Sequence, residues 1–186
     1  MNIEPFALWI TGLPGSGKSV ISESLKKILK ENEISAEILR MDEMRKVVTP
    51  DPKYTDEERQ LIYNSLVYVA KKLVGAGINV IMDATGNKRR YRKLAYEIIP
   101  NFYMIYLKCP LDLAIEREME RKDTRGAPEG IYKKVMEGET ENVPGLQSEY
   151  EEPKNPDLIV ETDKLRIKEC ADKIYREIIL PKNKNH

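Results

Sequence analysis

Between residues 12 and 19 the chain reads Gly12-Leu13-Pro14-Gly15-Ser16-Gly17-Lys18-Ser19, which satisfies G-x-x-x-x-G-K-[ST] at every fixed position. The chemistry that such a run suits is the grip of a polyphosphate. Glycines let the backbone curl until successive N–H groups face one point and form an anion-binding concavity. Lys18 adds a positive charge for β- and γ-phosphates, and the Ser19 hydroxyl is a hard oxygen ligand of the kind Mg²⁺ takes. A helix starting here turns its positive end toward the same phosphates. A glycine-rich turn ahead of a helix is the plain alternative, and the flanks decide against it. Phe6 to Ile10 reads as a buried strand, and Val20, Ile21, Leu25, Ile28 and Leu29 form a helical stripe. Strand, loop and helix in that order identify a P-loop, with ATP and Mg²⁺ as the expected ligands.

Two aspartates supply the second kind of chemistry. "SAEILRMD" reads as a strand ending at Asp42, with Arg45 three residues on, and "VIMD" closes an apolar strand on Asp83. In an open parallel sheet, ligands gather at the carboxyl ends of the strands. One carboxylate there can hold Mg²⁺ while the other accepts the proton of an attacking hydroxyl. Helix N-capping is the structural alternative for both, since Asp is a common cap. The reading adopted makes Asp42 the acceptor of the hydroxyl proton and Asp83 the Mg²⁺-side carboxylate. Basic residues follow both strands: Arg45, then Lys88, Arg89, Arg90 and Arg92. Most of the second group reads as solvated helix surface, while an arginine near the open end of the sheet can clamp an anion with its planar fork.

The elements that must position these residues alternate along the chain. After the P-loop helix and "SAEILRMD", the loop "VVTPDPKYTDEE" leads to a long helix carrying Leu61, Ile62, Leu66, Val69, Ala70 and Leu73, which Gly75 and Gly77 end. "INVIMDAT" is a strand apolar on both faces, as a central parallel strand should be. Helix "NKRRYRKLAYEII", strand "FYMIYLKC", helix "PLDLAIEREMERK", strand "PDLIVETD" and helix "RIKECADKIYREII" follow. Strands separated by helices imply βαβ crossovers, hence an α/β fold with a five-stranded parallel sheet and helices on both faces, a three-layer sandwich. Residues 122–156 break the pattern with four Gly and four Pro among many charges. Ile131, Tyr132, Val135, Met136, Val143, Leu146 and Tyr150 within it have no use in a solvated linker, so a mobile lid over about residues 121–150 is expected.

At 186 residues the chain is read as a single domain, 1–186, large enough for a core without disulfide or metal staples. Its 31 basic and 31 acidic residues balance, which argues against nucleic acid or an anionic membrane surface as partner. Cys109 and Cys170 form no C-x-x-C, and the single histidine is His186, so histidine catalysis and a structural zinc site are not expected. No apolar run approaches the roughly 20 residues of a membrane span. The N-terminal "MNIEPFALWITG" reads as a first strand and not a targeting segment, so a cytoplasmic protein is expected.

Taken together, the P-loop, D-x-x-R after the second strand, and "GIYKKVMEGETENVPGLQSEYEEPKNPDLIVET" resemble the adenylylsulfate kinase family of P-loop kinases over nearly the whole chain. In the lid motif Gly130, Ile131, Tyr132, Lys133, Lys134, Gly138, Gly145, Leu146, Tyr150, Glu151, Pro153, Asn155 and Pro156 match. The resemblance implies sheet order 2-3-1-4-5 and transfer of the γ-phosphoryl of ATP to the 3′-hydroxyl of adenosine 5′-phosphosulfate, a step of sulfate assimilation. It also implies possible association into a homodimer. It makes Asp42 and Arg45 the carboxylate and arginine of the family's D-G-D-N-[IV]-R motif. Tyr54 falls where an aromatic stacks on the substrate's adenine, Arg59 where an arginine grips the substrate, and Lys133 among the lid lysines on the substrate side. Arg117, Arg121 or Arg125 would supply lid charge in the transition state. The chain departs from the pattern where Arg40-Met41 replaces the first Asp-Gly, where Ile62 replaces a substrate-binding Asn, and where Val143 replaces a second adenine-stacking aromatic. "DATGNKRR" replaces S-F-I-S-P-Y-R and resembles small-molecule and polynucleotide kinases, so another alcohol acceptor (a nucleoside, a sugar or a polynucleotide end) is the alternative. A nucleotide-binding regulatory protein would need a broken P-loop or a missing carboxylate, and neither is seen.

Overall fold

The computed structural model describes residues 3–121, 132, 135, 137 and 143–181. Five parallel strands form one sheet: β1 (Ala7–Thr11), β2 (Ala36–Arg40), β3 (Asn79–Asp83), β4 (Phe102–Lys108) and β5 (Leu158–Glu161). Their order is β2-β3-β1-β4-β5, as the resemblance implies. All five β1 residues are buried, which accounts for its unbroken apolar character at the sheet centre. Alternation along β1 then divides the core. Leu8 and Ile10 face α1 (Lys18–Glu31) and α6 (Ile167–Ile174), while Ala7 and Trp9 face α3 (Asp56–Gly75) and α4 (Arg89–Ile98). The last helix widens into a π turn at Tyr175–Ile179, where the sequence pattern predicts continuous α-helix.

Register sets the working edge of the sheet. Ile10 pairs with Asp83 and Arg40 also pairs with Asp83, so the carboxyl ends of β1, β2 and β3 are level. The apolar face under that edge is aromatic. Trp9 and Tyr63 have ring centroids 6.0 Å apart, and Tyr63 and Tyr91 4.9 Å apart. The polar tips of this stack hold the loop leaving β3: Trp9 Nε1 donates to the Ala84 carbonyl at 2.8 Å, and the Tyr63 hydroxyl accepts from Gly86 N at 3.0 Å. Burying two aromatic bodies while keeping both tips bonded satisfies both requirements of such side chains.

Several element boundaries differ from the sequence reading, two of them beside the site. β2 stops at Arg40, and Met41–Val48 is a separate helix, α2, inside the segment read as strand end and loop. Pro110 is the residue before α5 (Leu111–Met119) and not its first helical residue. α3 begins as its sequence demands: the Thr55 hydroxyl accepts from Glu58 N at 3.2 Å, and Asp56, Glu57 and Glu58 fill the first turn. Cys109 and Cys170 are both buried and unbridged. No described helix is long and apolar enough to cross a membrane.

Candidate active site

The P-loop joins β1 to α1 at the level edge of the sheet. Gly15 has φ 79°, and a Cβ there would strike the Ala114 carbonyl of α5, so both its torsion and its space require glycine. Gly17 precedes α1 with no side-chain cap, which leaves the first-turn N–H groups of that helix to an external acceptor. Lys18 Nζ donates to the carbonyls of Gly12 at 3.1 Å and Leu13 at 2.9 Å, folding over the loop. Burial pulls the Lys18 pKa down, and the charges of Asp83, Asp42 and Glu118 oppose that pull.

Asp83 closes β3 and is buried. Burial pushes its pKa up, while the Lys18 charge and a hydrogen bond from Ser19 draw it back toward the ionised form. Arg40 Nε lies 4.0 Å from Asp83 Oδ2, and the rest of its guanidinium pairs with Glu23 of α1 and, at 3.1 Å, with Glu43 of α2. The residue that departs from the family motif thus links α1, β2, α2 and β3 around the carboxylates. Asp42 is not at a strand end. It lies one residue inside α2, where its charge still acts on Lys18 and Asp83. Neither aspartate is a helix N-cap: Arg40 precedes α2 and Lys88 precedes α4. The Ser19 hydroxyl and the Asp83 carboxylate, adjacent and both hard oxygen donors, fit the ligand preference of Mg²⁺.

Arg45, Tyr54 and Arg59, matched to the family from separate segments, come together. The Arg45 guanidinium lies 5.0 Å and that of Arg59 5.5 Å from the Tyr54 ring centroid. Glu58 fixes the cluster, receiving Arg45 Nη1 at 2.9 Å and the backbone N–H groups of Lys53 at 2.6 Å and Tyr54 at 3.2 Å. The cost is local: Tyr54 is held at φ 55°, a conformation uncommon outside glycine. Ile62 is fully buried on the aromatic face of the sheet, so this position presents no group to a substrate. Val143 is likewise buried. Lys133 and Arg125 lie outside the described residues.

The "DATGNKRR" segment has a structural occupation. Asn87 Nδ2 donates to Ser148 Oγ at 2.8 Å and the Glu149 carbonyl at 3.2 Å, and the Asn87 carbonyl accepts from Glu151 N at 2.7 Å. Arg89 N and Nε bond to Glu151 Oε2 at 2.8 Å and the Glu152 carbonyl at 2.9 Å. Lys88 and Arg90 pair with Asp56. Arg92, read as helix surface or anion clamp, is buried and donates to the carbonyls of Gly86 and Glu151. These residues clasp segment 148–152; most of the expected lid, residues 121–150, lies outside the described residues. The next stretch inward touches the P-loop: a Cβ on Gly145, at φ 92°, would lie 2.7 Å from Leu13 Cδ2, and the Tyr132 hydroxyl donates to the Pro14 carbonyl at 3.0 Å.

Sequence reasoning missed Glu118, a buried acid whose charge acts on Lys18 and Asp42. Its only available signal was an acidic residue one turn after Ala114 on an otherwise apolar helix face. Of the arginines expected to supply charge in the transition state, Arg117 lies within α5 and donates to the Thr162 carbonyl at 2.8 Å and Thr162 Oγ1 at 3.3 Å, while Arg121 pairs with Glu118 at 2.9 Å.

The family model described as adenylylsulphate kinase matches residues 4–161. The probable adenylyl-sulfate kinase of Archaeoglobus fulgidus is 34% identical over 159 residues, covering 86% of this chain and 97% of that protein. That of Pyrococcus abyssi is 31% identical over 175 residues, covering 94% and 95%. Among solved structures, the Mycobacterium tuberculosis APS kinase in complex with AMPPNP and APS superposes with a TM-score of 0.83 at 29% identity, over 95% of this chain and 98% of that one. A sugar kinase from Janibacter, at a TM-score of 0.67 and 18% identity, shares the fold.

Proposed function

The chain belongs to the adenylylsulphate kinase family, and on that premise we propose that it transfers the γ-phosphoryl group of ATP to the 3′-hydroxyl of adenosine 5′-phosphosulfate. The observation that carries this reading is the convergence of two clusters at one sheet edge within the matched residues. Lys18, Ser19 and Asp83 stand beside Asp42, and α2, which carries Asp42, also carries Arg45 toward Tyr54 and Arg59.

The P-loop backbone from Gly12 to Ser19 would cradle the phosphates, with Lys18 turned from its own carbonyls onto them. Ser19 and Asp83 would hold Mg²⁺, which when bound neutralises phosphate charge. Asp42 accepts the proton of the 3′-hydroxyl as that oxygen bonds to the γ-phosphorus; the bond to the bridging oxygen breaks and ADP leaves. Little covalent work is asked of the protein, so positioning and fixed charge provide most of the acceleration. Arg45 and Arg59 offer guanidinium forks to the anionic end of the acceptor, beside the Tyr54 ring. The clasp gives Lys88, Arg89 and Arg90 of "DATGNKRR" structural partners, which weakens the case for a different alcohol. The same resemblance extends the proposal to a homodimer.

The test is a coupled ADP-release assay with ATP, Mg²⁺ and adenosine 5′-phosphosulfate, run against nucleoside and sugar acceptors. One ADP per 3′-phosphorylated product, with the other acceptors inactive, is expected. Turnover of a nucleoside or sugar in preference to adenosine 5′-phosphosulfate overturns the assignment.

A further inference from the structure

We propose that Asp56 is a positioning residue for the acceptor, tying the first turn of α3, and with it the Tyr54 cluster, to the start of α4; the role rests on the acceptor reading above. Asp56 is the first residue of α3 and stands between Tyr54 and Glu58 in the chain. It is exposed, yet its carboxylate has three partners across the join. Lys88 Nζ reaches both oxygens at 2.9 Å, Arg90 Nη2 reaches Oδ2 at 2.7 Å, and the Tyr91 hydroxyl donates to Oδ1 at 2.8 Å. The hydrogen bonds from Lys88, Tyr91 and Arg90 hold the Asp56 carboxyl well below the usual carboxylate range. An isolated exposed ion pair contributes little, but one carboxylate shared by two cations and a hydroxyl is a network. That network ends on the core, because Tyr91 is buried with its ring 4.9 Å from that of Tyr63.

The cluster beside Asp56 needs such an anchor. Tyr54 is held at φ 55°, which an unrestrained chain would leave for the β or right-handed helical region. The restraint comes from Glu58, which receives the N–H groups of Lys53 and Tyr54 and also pairs with Arg45. Glu58 itself belongs to the first turn of α3, so displacement of that turn displaces Tyr54 and Arg45 together. On the far side of the join, Arg89 bonds to Glu151 and to the Glu152 carbonyl. In the same segment the Tyr150 hydroxyl lies 2.8 Å from Oγ1 of Thr11, the last residue of β1 before the P-loop. Asp56 therefore refers the acceptor cluster to the frame that carries the phosphate cradle. A reaction between two bound molecules depends on such a shared frame. Without the tether the cluster is competent for a smaller fraction of the time, and apparent acceptor affinity falls by that fraction. An acceptor that does bind restores the arrangement, so turnover at saturation changes little.

The experiment compares Asp56→Asn, Asp56→Glu, the Lys88→Met/Arg90→Met pair and the combination of that pair with Asp56→Asn. It measures acceptor KM and kcat, ADP affinity by calorimetry, and amide hydrogen exchange over residues 53–59 with no acceptor present. Asp56→Asn should raise acceptor KM about 10-fold with kcat within about 3-fold and ADP affinity within about 2-fold, and exchange over residues 53–59 should quicken. Asp56→Glu should recover part of the KM. The Lys88→Met/Arg90→Met pair should reproduce Asp56→Asn, and the combination should add nothing further, because all three changes cut one link. An acceptor KM within about 2-fold of wild type, unchanged exchange, or effects that multiply in the combination overturns the proposal. So does an ADP affinity that falls in step with the KM, which marks a general structural loss. A lowered KM overturns it too, because the freed cations would then be drawing in the anionic acceptor. If wild type fails to phosphorylate adenosine 5′-phosphosulfate while Asp56→Asn still quickens exchange over residues 53–59, only the acceptor reading falls.

Discussion

Replacing Arg92 by Met separates two roles that the sequence leaves superimposed. In the structure the guanidinium is 2% exposed and donates to the Gly86 carbonyl at 2.6 Å and to the Glu151 carbonyl, with Thr11 Oγ1 at 3.4 Å and the Tyr150 ring centroid at 5.6 Å. A hydrogen bond with a charged partner contributes about 1.5–3 kcal/mol, so the two carbonyl bonds total about 3–6 kcal/mol. Methionine fills similar volume and avoids the burial cost that pulls the Arg92 pKa down, which returns part of that sum. The expected loss is therefore about 3 kcal/mol, or about 6–12 °C in Tm for a chain of this size. Urea or thermal unfolding of Arg92→Met reads it directly. Because Glu151 belongs to the segment that Arg89 and Arg92 hold in place, limited proteolysis near residue 150 should accelerate as well. An anion clamp behaves in the opposite way: stability stays within about 0.5 kcal/mol and the acceptor KM rises. A destabilisation below about 1 kcal/mol together with a tenfold rise in acceptor KM would refute the structural assignment.

Asp42→Asn should abolish phosphoryl transfer while leaving ATP affinity within a few-fold, measured by titration calorimetry beside a turnover assay; lost ATP binding would move the base role to Asp83. Val143→Phe is expected to destabilise by about 1–3 kcal/mol, read by urea unfolding, because the position is buried and its carbonyl already accepts from the backbone N–H groups of residues 146, 147 and 148. An added ring there overpacks the interior and does not complete an adenine sandwich. Tyr150 gives a pH prediction. Burial pushes its pKa from 10.0 up to about 12, so the unfolded chain loses its proton first and stability falls as pH rises through that interval. Urea midpoints across the interval should fall less steeply in Tyr150→Phe, since Tyr63 and Tyr106 are shifted the same way and keep their contribution.

What could be read in advance follows a physical division. The P-loop, the five strands and the helices on both faces rest on period, glycine placement and apolar runs, which are properties of the chain itself. The sheet order came with the family resemblance. α2 escaped notice because it is eight residues long with a single buried residue, Met41, and so carries no apolar stripe. That omission misplaced Asp42 by one element without moving it away from Lys18. Arg92 and Glu118 were missed for a different reason: a charged residue on an amphipathic helix does not announce burial, which depends on the loops packed against it. The remote partners are what the sequence hides: Arg92 meets the Glu151 carbonyl far along the chain, and Glu118 faces Lys18 and Asp42 far back in it.

The two halves of the proposed site differ in what builds them, and this bears on where the chain departs from its family. The nucleotide half is made of backbone. Gly15 must clear the Ala114 carbonyl, Gly17 must leave the first turn of α1 uncapped, and few residues permit either. The proposed acceptor half is made of side chains held by other side chains. Glu58 fixes Arg45 and the backbone of Tyr54, and Arg59 Nε in turn donates to the Tyr54 carbonyl at 3.1 Å. In such a network one polar contact can be exchanged for another while the cluster keeps its shape. Ile62, turned wholly into the core, withdraws one position from that cluster without disturbing it, and Arg40, joined to Glu23, Glu43 and Asp83, builds a separate network beside it. Arg40 also shifts the local balance. It places a cation beside Asp83 where the family pattern has a further carboxylate, which favours the ionised form of a buried acid at the phosphate-binding edge. The departures therefore fall in side-chain networks, where substitution is structurally tolerated, and none falls in the glycine-rich run from Gly12 to Ser19.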